Sequence, residues 1–194
     1  TIMPCFIRLF YFFVVCRDLG KNKMGVWAFY TGLPQEDLDA VRADVQQPIE
    51  EIEMSDEPRI QCEIGKAWYR LHEVLTQGLT EPTENNIYSN AVAGQYYMWG
   101  DNSEWGDDIW WWDCYSGAFN DNKRVRQISQ VLNTVDFKNL YQLHVEKHVN
   151  NDPHIFEAYD WLAECFEELK EFYAKCAELN LSLIHISEPT RRYA

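Results

Sequence analysis

The sequence predicts an α+β fold, a single compact domain with a small β-sheet, several helices and one long C-terminal helix. Its 194 residues fit one domain of ordinary size. Apolar residues make up 46% of the chain and aromatic residues 15%, which is enough material for a packed interior. One strand-like segment and several segments with helical periodicity define the class.

The first half of the domain is predicted to hold a buried strand and two helices. The strand is Val26 to Thr31, because its β-branched and aromatic residues are apolar on both faces and lie between two glycines. A helix is expected to start at Pro34 and to end before Pro48. The charge run Glu50 to Glu57 is predicted to be a solvated loop. Apolar residues recur at spacings of three and four in Gly65 to Gln77, which predicts the second helix.

The second half is predicted to be helical. Two helices are expected at Asn122 to Asn133 and at Asp136 to Val149, the second with Asp136 as its N-cap. The longest helix is expected from Asp152 to about Leu179. Its apolar seam consists of Ile155, Tyr159, Leu162, Phe166, Leu169, Tyr173 and Cys176. We expect this seam to cover the domain's own core, and a coiled-coil dimer is the alternative.

The charge of the chain excludes two classes of partner. It carries 17 basic and 31 acidic residues, and the net charge is -14. A function whose affinity comes from neutralising nucleic-acid phosphates or anionic lipid is therefore excluded. The apolar run Cys5 to Cys16 is shorter than the roughly 20 residues that a membrane-spanning helix needs. We predict no nucleic-acid partner and no membrane partner.

Both ends of the chain are predicted to lie outside the domain. Residues 1–23 are interpreted as upstream sequence read through in frame, with a weak signal peptide as the alternative. Residues 181–194 are interpreted as an adapter-derived tail, because Leu181 to Arg191 (LSLIHISEPTR) resembles a translated sequencing adapter; a natural C-terminal strand is the alternative. His185 therefore receives no functional role. The predicted domain, Met24 to Asn180, carries 11 basic and 29 acidic residues, and its net charge is -18.

Three segments of this domain carry a family resemblance. They read MGVWAFYTGLPQEDL from Met24, IGKAWYRLHEVLTQ from Ile64 and WLAECFEELKEFYAKCAELN from Trp161. In this order they resemble the YfbM-like family, a bacterial domain of unknown function. Gly65 stands where family members usually have an aspartate, which puts a capping role at this position in doubt. The resemblance implies a compact α+β fold that finishes with a strand, and it implies no reaction, because no activity is established for the family.

The first candidate site lies on the predicted helix Gly65 to Gln77. Trp68 and His72 are four residues apart and share one helix face, with Lys66 near the first turn. Lys66, Trp68 and His72 could line the mouth of a pocket for an anionic or planar ligand. The alternative, which we favour, is that Trp68 belongs to the core and His72 donates a ring proton to a backbone carbonyl.

The second candidate site is the tryptophan-rich segment, Trp99 to Cys114. Tryptophan rings beside carboxylates can bind a cation or serve as hot spots of a protein interface. An EF-hand calcium loop is rejected, because tryptophans occupy two of its ligand positions. A loop that folds its rings onto the core is an equally good interpretation. The candidate residues are Trp99, Trp105, Trp110, Trp111 and Trp112 with Asp107, Asp108 and Asp113.

A metal site, a cofactor and a catalytic centre are not predicted. His144 and His148 are four residues apart, but the sequence lacks the H-E-x-x-H pattern, so a solvated helix face is favoured. The four cysteines of the predicted domain form no C-x-x-C pair, which favours reduced thiols in the cytoplasm. The usual phosphate-binding, dinucleotide-binding and hydrolase motifs are not found.

We therefore expect a cytoplasmic, non-catalytic binding protein. Its acidic surface and the tryptophan-rich segment would engage a basic partner protein, with neutralisation of a toxin as one role. A small-molecule enzyme or ligand sensor that uses Lys66, Trp68 and His72 is the alternative. The chain is expected to be a monomer or a weak dimer, and oligomerisation through the long helix is a third hypothesis.

Overall fold

The fold is α+β, as the sequence predicts. The computed structural model describes residues 26–43, 59–79, 82–99, 116–148 and 159–189. Within these ranges the chain forms five strands and six helices. In chain order they are β1 (Val26–Leu33), α1 (Gln35–Ala43), β2 (Ile60–Gly65), α2 (Ala67–Thr76), α3 (Ile87–Ala93), β3 (Tyr96–Trp99), β4 (Ser116–Asn120), α4 (Asn122–Leu132), α5 (Phe137–His148), α6 (Tyr159–Glu178) and β5 (Ser182–Pro189).

The five strands form one antiparallel sheet in the order β2-β1-β5-β4-β3. The first predicted strand is present as β1, which pairs with β2 on one side and with β5 on the other. Strand β5, the last in the chain, is therefore central. Because a central strand has a neighbour on both sides and layers above and below, its residues Ser182 to Ile186 are buried on both faces.

The position of β5 differs from the predicted domain boundary. The predicted domain ends at Asn180, whereas Ser182–Pro189 fills the centre of the sheet. Leu183 and Ile184 point to opposite faces, and both are fully buried. These two buried residues belong to the two layers that cover the sheet, so the folded unit extends past Asn180. The resemblance of this segment to an adapter concerns its origin and stays a prediction.

The main core lies between one face of the sheet and helices α2 to α6. Helix α6 crosses this core, and the predicted seam faces inward. Buried seam residues are Leu162, Phe166, Leu169, Tyr173 and Cys176. Each fully buried leucine or phenylalanine contributes about 1.5–3 kcal/mol relative to an exposed one. The apolar seam of α6 thus packs on the domain's own core, as predicted.

The opposite face of the sheet carries a smaller core. Helix α1 covers part of this face with Leu38 and Val41, which pack on Ile184. Its first turn holds Glu36 and Asp37, close to the positive end of the helix dipole. The predicted continuation of this helix towards Pro48 and the charge run lie outside the described residues.

Helices α2, α4 and α5 agree with the predicted pattern except at one start, whereas the sequence predicts no helix at α3. Asp121 caps α4 by accepting a hydrogen bond from the Arg124 amide at 2.7 Å. The predicted cap Asp136 accepts from the Asn139 amide at 3.1 Å. Helix α2, however, begins after Gly65, which ends β2 at φ +52°. A left-handed residue cannot start a helix, and glycine adopts this conformation at little cost.

Candidate functional site

The predicted helix-face site lies inside the core. Trp68 is 3% exposed and His72 is 0% exposed, whereas Lys66, directly before α2, is half-buried. Helix α2 turns these two rings inward because its apolar positions, spaced three and four apart, face the main core. The structure therefore does not bring Lys66, Trp68 and His72 together at an exposed surface.

His72 connects α2 to the start of α3. Its Nε2 lies 2.9 Å from Ser89 Oγ, which in turn accepts a hydrogen bond from the Thr83 amide at 2.9 Å. Which of the two groups donates depends on the tautomer of the imidazole. Burial lowers the pKa of His72 to about 4, against an opposing hydrogen bond with the Leu79 backbone. His72 is therefore neutral at pH 7, and its ring links α2 to α3 through Ser89.

Ser89 is the residue that sequence reasoning missed. A serine hydroxyl within hydrogen-bond distance of an imidazole is the arrangement of an activated nucleophile. Ser89 and His72 are both fully buried, so a substrate cannot reach them in this conformation. Seventeen residues separate them, and only the packing of α3 against α2 brings them together.

A second polar cluster surrounds the C-terminal end of α3. The last carbonyls of a helix have no partner within the helix. Here they accept hydrogen bonds from side chains of four other elements. The pairs are Asn120 Nδ2 to Asn90 O at 2.9 Å, Tyr173 Oη to Ala91 O at 3.1 Å, Tyr30 Oη to Val92 O at 2.8 Å, and His185 with the Ala93 backbone.

These side chains are neutral and enclosed. Burial raises the pKa of both Tyr30 and Tyr173 well above the ordinary value, and it lowers the pKa of His185 to about 4. The His185 ring stacks on Tyr30, with centroids 4.6 Å apart. Neutral donors that bind the negative end of a helix stabilise the fold. We assign this cluster, which we call the α3 carbonyl cluster, a structural role.

The tryptophan-rich segment falls largely outside the described residues. Strand β3 ends at Trp99, whose backbone pairs opposite Gly117 at the sheet edge. The segment therefore connects β3 to β4. The candidates that lie outside the described residues are Trp105, Trp110, Trp111, Trp112, Asp107, Asp108 and Asp113.

The two histidines of α5 are not on a solvated helix face, so that interpretation is wrong for His144. His144 is 2% exposed, and His148 is half-buried. Their ring centroids are 4.5 Å apart. Burial, and then the neighbouring His148, lower the pKa of His144. The helix turns this face inward because α5 packs against α2, which sequence periodicity alone did not reveal.

The described thiols are not activated nucleophiles. Burial raises the pKa of Cys62, Cys165 and Cys176 to about 12. A thiol with this pKa is protonated at neutral pH, and the thiolate is the reactive form. All three are free cysteines in the structure.

The exposed side of α6 is acidic. Glu164, Glu167, Glu168 and Glu171 are all exposed, and their spacing of three and four places them on one stripe. Lys170 pairs with Glu167. On the neighbouring strand β2, Glu63 is exposed, and its pKa is raised by desolvation and then by repulsion from Glu168. We call Glu63 and these four glutamates the α6 acidic surface.

The described residues contain no group of three metal-ligating side chains and no helix that could cross a membrane. Among them, no three side chains of histidine, cysteine, aspartate or glutamate are grouped closely enough to hold a metal ion. In the same residues, every helix is too short or too polar to cross a bilayer.

These features define an α+β protein in which the described candidates Trp68 and His72 lie in the interior. The chain belongs to the family described as "Domain of unknown function (DUF1877)", which matches residues 24–186. This match passes the predicted domain end at Asn180 and includes most of β5.

A solved structure confirms the predicted YfbM-like fold. The crystal structure of YfbM from Escherichia coli, a protein of unknown function, is similar with a TM-score of 0.62 and 14% sequence identity. The match covers 84% of this chain and 99% of that chain. At this identity the likeness shows the fold alone. No curated protein matches the chain.

Proposed function

We propose that this protein is a cytoplasmic, non-catalytic binding protein that engages a basic partner protein. The observation that carries the proposal is the α6 acidic surface, on a chain whose net charge is -14. Clustered charge of one sign attracts partners of opposite charge and raises the association rate at low salt. Lys170 neutralises only part of the stripe, because it pairs with one of its four glutamates.

Aromatic residues next to Glu63, one member of the α6 acidic surface, support a protein partner. On the face of the sheet opposite the main core, Trp27 and Phe29 are half-buried and stacked, with centroids 6.3 Å apart. Phe29 lies opposite Glu63 in the β1–β2 pairing. Aromatic rings beside a carboxylate suit the alkyl chains and charged ends of lysine and arginine. The tryptophan-rich segment would add further rings.

A monomer or weak dimer fits this function. The apolar seam of α6 packs on the domain's own core, so it is not available for a coiled coil. We propose that the acidic exterior steers the partner and that the aromatic residues supply the short-range contacts. Neutralisation of a basic toxin is one role that such a complex would have.

A charge variant with a matched control tests this function. The triple variant Glu164→Gln, Glu168→Gln and Glu171→Gln removes three charges from the α6 acidic surface. The control variant Glu36→Gln, Asp37→Asn and Asp39→Asn removes the same number from α1.

Binding of a fluorescent arginine-rich peptide would be measured against salt concentration, together with capture of partners from a lysate of the source cells. We expect the α6 variant to bind the peptide more weakly and to capture less partner protein. The α1 control should bind as the unchanged protein does. Equal binding by both variants would show that only net charge matters and would contradict a localised surface. In the same assay, changing Trp110, Trp111 and Trp112 to alanine tests the tryptophan-rich segment.

The ligand sensor or enzyme built on Lys66, Trp68 and His72 is the second candidate. One observation favours it, the Ser89 hydroxyl 2.9 Å from His72. It requires the core to open around two fully buried residues. Reaction of Ser89 with a fluorophosphonate, lost in a His72→Gln variant that stays folded, would favour it over the binding function.

A further inference from the structure

His144 and His148 have the geometry of a metal-binding pair. They lie four residues apart on α5, with ring centroids 4.5 Å apart and planes inclined by 34°. The pair lies next to the C-terminal end of α2, where Gln77 donates a hydrogen bond to Leu140 O at 3.0 Å. This hydrogen bond joins the end of α2 to the α5 backbone one turn before His144.

Each of the two rings has a nitrogen that the described residues leave without a hydrogen bond. These atoms are His144 Nδ1 and His148 Nε2, and both are buried. A buried polar atom without a partner is unfavourable and calls for a ligand. Gly78 packs closely beside the second one, since a Cβ there would lie only 3.0 Å from His148 Nε2. We infer that His144 and His148 form a binding site for a divalent transition-metal ion.

The spacing of the rings indicates which ions fit. With metal–nitrogen bonds of about 2.0–2.1 Å, two imidazoles on one metal have centroids about 4.5 Å apart at a right angle and about 5.2 Å apart at the tetrahedral angle. The observed 4.5 Å lies within the range that two imidazoles on one Cu²⁺ or Ni²⁺ ion require. Imidazole is also a preferred ligand of these ions.

The charges around the pair are mixed. Glu73 favours a cation next to His144, whereas Arg70 and Lys147 oppose it. The opposing cations are both engaged, Arg70 with Glu73 at 3.0 Å and Lys147 with the Gln77 carbonyl at 3.0 Å. Two protein ligands and this balance of charges predict a site of moderate affinity.

Copper titration of the whole chain tests the site. Cu²⁺ is the probe, measured by calorimetry and by electron paramagnetic resonance at pH 7.5. We expect one Cu²⁺ per chain with two nitrogen ligands, and at least tenfold weaker binding in His148→Gln. Glu146→Gln, an exposed carboxylate on the same helix, is the matched control and should bind as the unchanged protein does. His154→Gln, the nearest histidine in sequence, should also leave binding unchanged.

Three results would overturn the inference. These are equal Cu²⁺ affinity in His148→Gln and the unchanged protein, loss of binding in His154→Gln, or a resonance spectrum with fewer than two nitrogen ligands. The spectrum of the unchanged protein decides the question even if His148→Gln fails to fold. Because the α6 variants leave these histidines intact, failure of this site and failure of the proposed function are independent.

Discussion

The α3 carbonyl cluster makes a sharp prediction for the single change Tyr173→Phe. The Tyr173 hydroxyl donates to Ala91 O and accepts from Asn120 Nδ2, both at 3.1 Å, and the side chain is fully buried. The Ala91 carbonyl has no amide donor from four residues further along the chain, because the Gln95 amide donates to Phe119 O instead. The change therefore leaves a buried acceptor without its side-chain donor.

The expected cost is about 2 kcal/mol, within the roughly 1–3 kcal/mol that a buried unsatisfied group costs. The phenyl ring stays in place, so no cavity adds to this value. With a urea m-value of about 2 kcal/mol/M, the unfolding midpoint should fall by about 1 M. Circular dichroism during urea unfolding measures this shift.

Tyr96→Phe is the matched control. Tyr96 is exposed and its hydroxyl accepts only from the neighbouring Gln95 side chain among the described residues. We expect it to change the free energy of unfolding by less than about 0.5 kcal/mol. A Tyr173→Phe protein that is as stable as the control would refute the idea that side-chain donors to α3 hold the fold together.

Three further changes have defined outcomes. Gly94→Ala should cost about 2–5 kcal/mol in thermal or urea unfolding, since φ is +78° and the new Cβ would lie 2.6 Å from the Ala118 Cβ; a neutral effect would contradict the close approach. Leu169→Ala should cost about 2–5 kcal/mol because the side chain is fully buried, and a smaller loss would mean that α6 packs loosely. His72 and His185 both have a folded-state pKa of about 4, below the unfolded value of about 6.5, so stability is full above pH 6.5 and falls towards pH 4. Urea unfolding should show a loss of about 1.2 kcal/mol per pH unit for each histidine near pH 5.3, and a His72→Gln variant with an unchanged slope would contradict this.

Sequence patterns predicted the elements that depend on local periodicity. The helices α2 and α6 and the strand β1 follow from apolar spacing, because a single buried face is visible in one segment. The caps Asp121 and Asp136 are equally local, although only Asp136 was predicted. Long periodic segments thus defined the fold class without any knowledge of neighbours.

The polar interior could not be predicted in the same way. Helix α3 has only seven residues and buries Ser89 and Asn90, so it shows no apolar stripe. Its carbonyls are bonded by Tyr30 and Tyr173, which lie 62 and 82 residues away. The burial of His144 likewise depends on α2. Such contacts belong to the tertiary structure and leave no periodic signal.

The central claim is that His72 belongs to the closed interior and that function lies on the exterior. The most direct test is a nuclear magnetic resonance titration of the histidine rings in the folded protein. We predict that the His72 signal stays constant from pH 8 to pH 5 and titrates near pH 4. A midpoint near pH 6.5 would show an accessible imidazole, contradict the claim and favour a ligand site on α2.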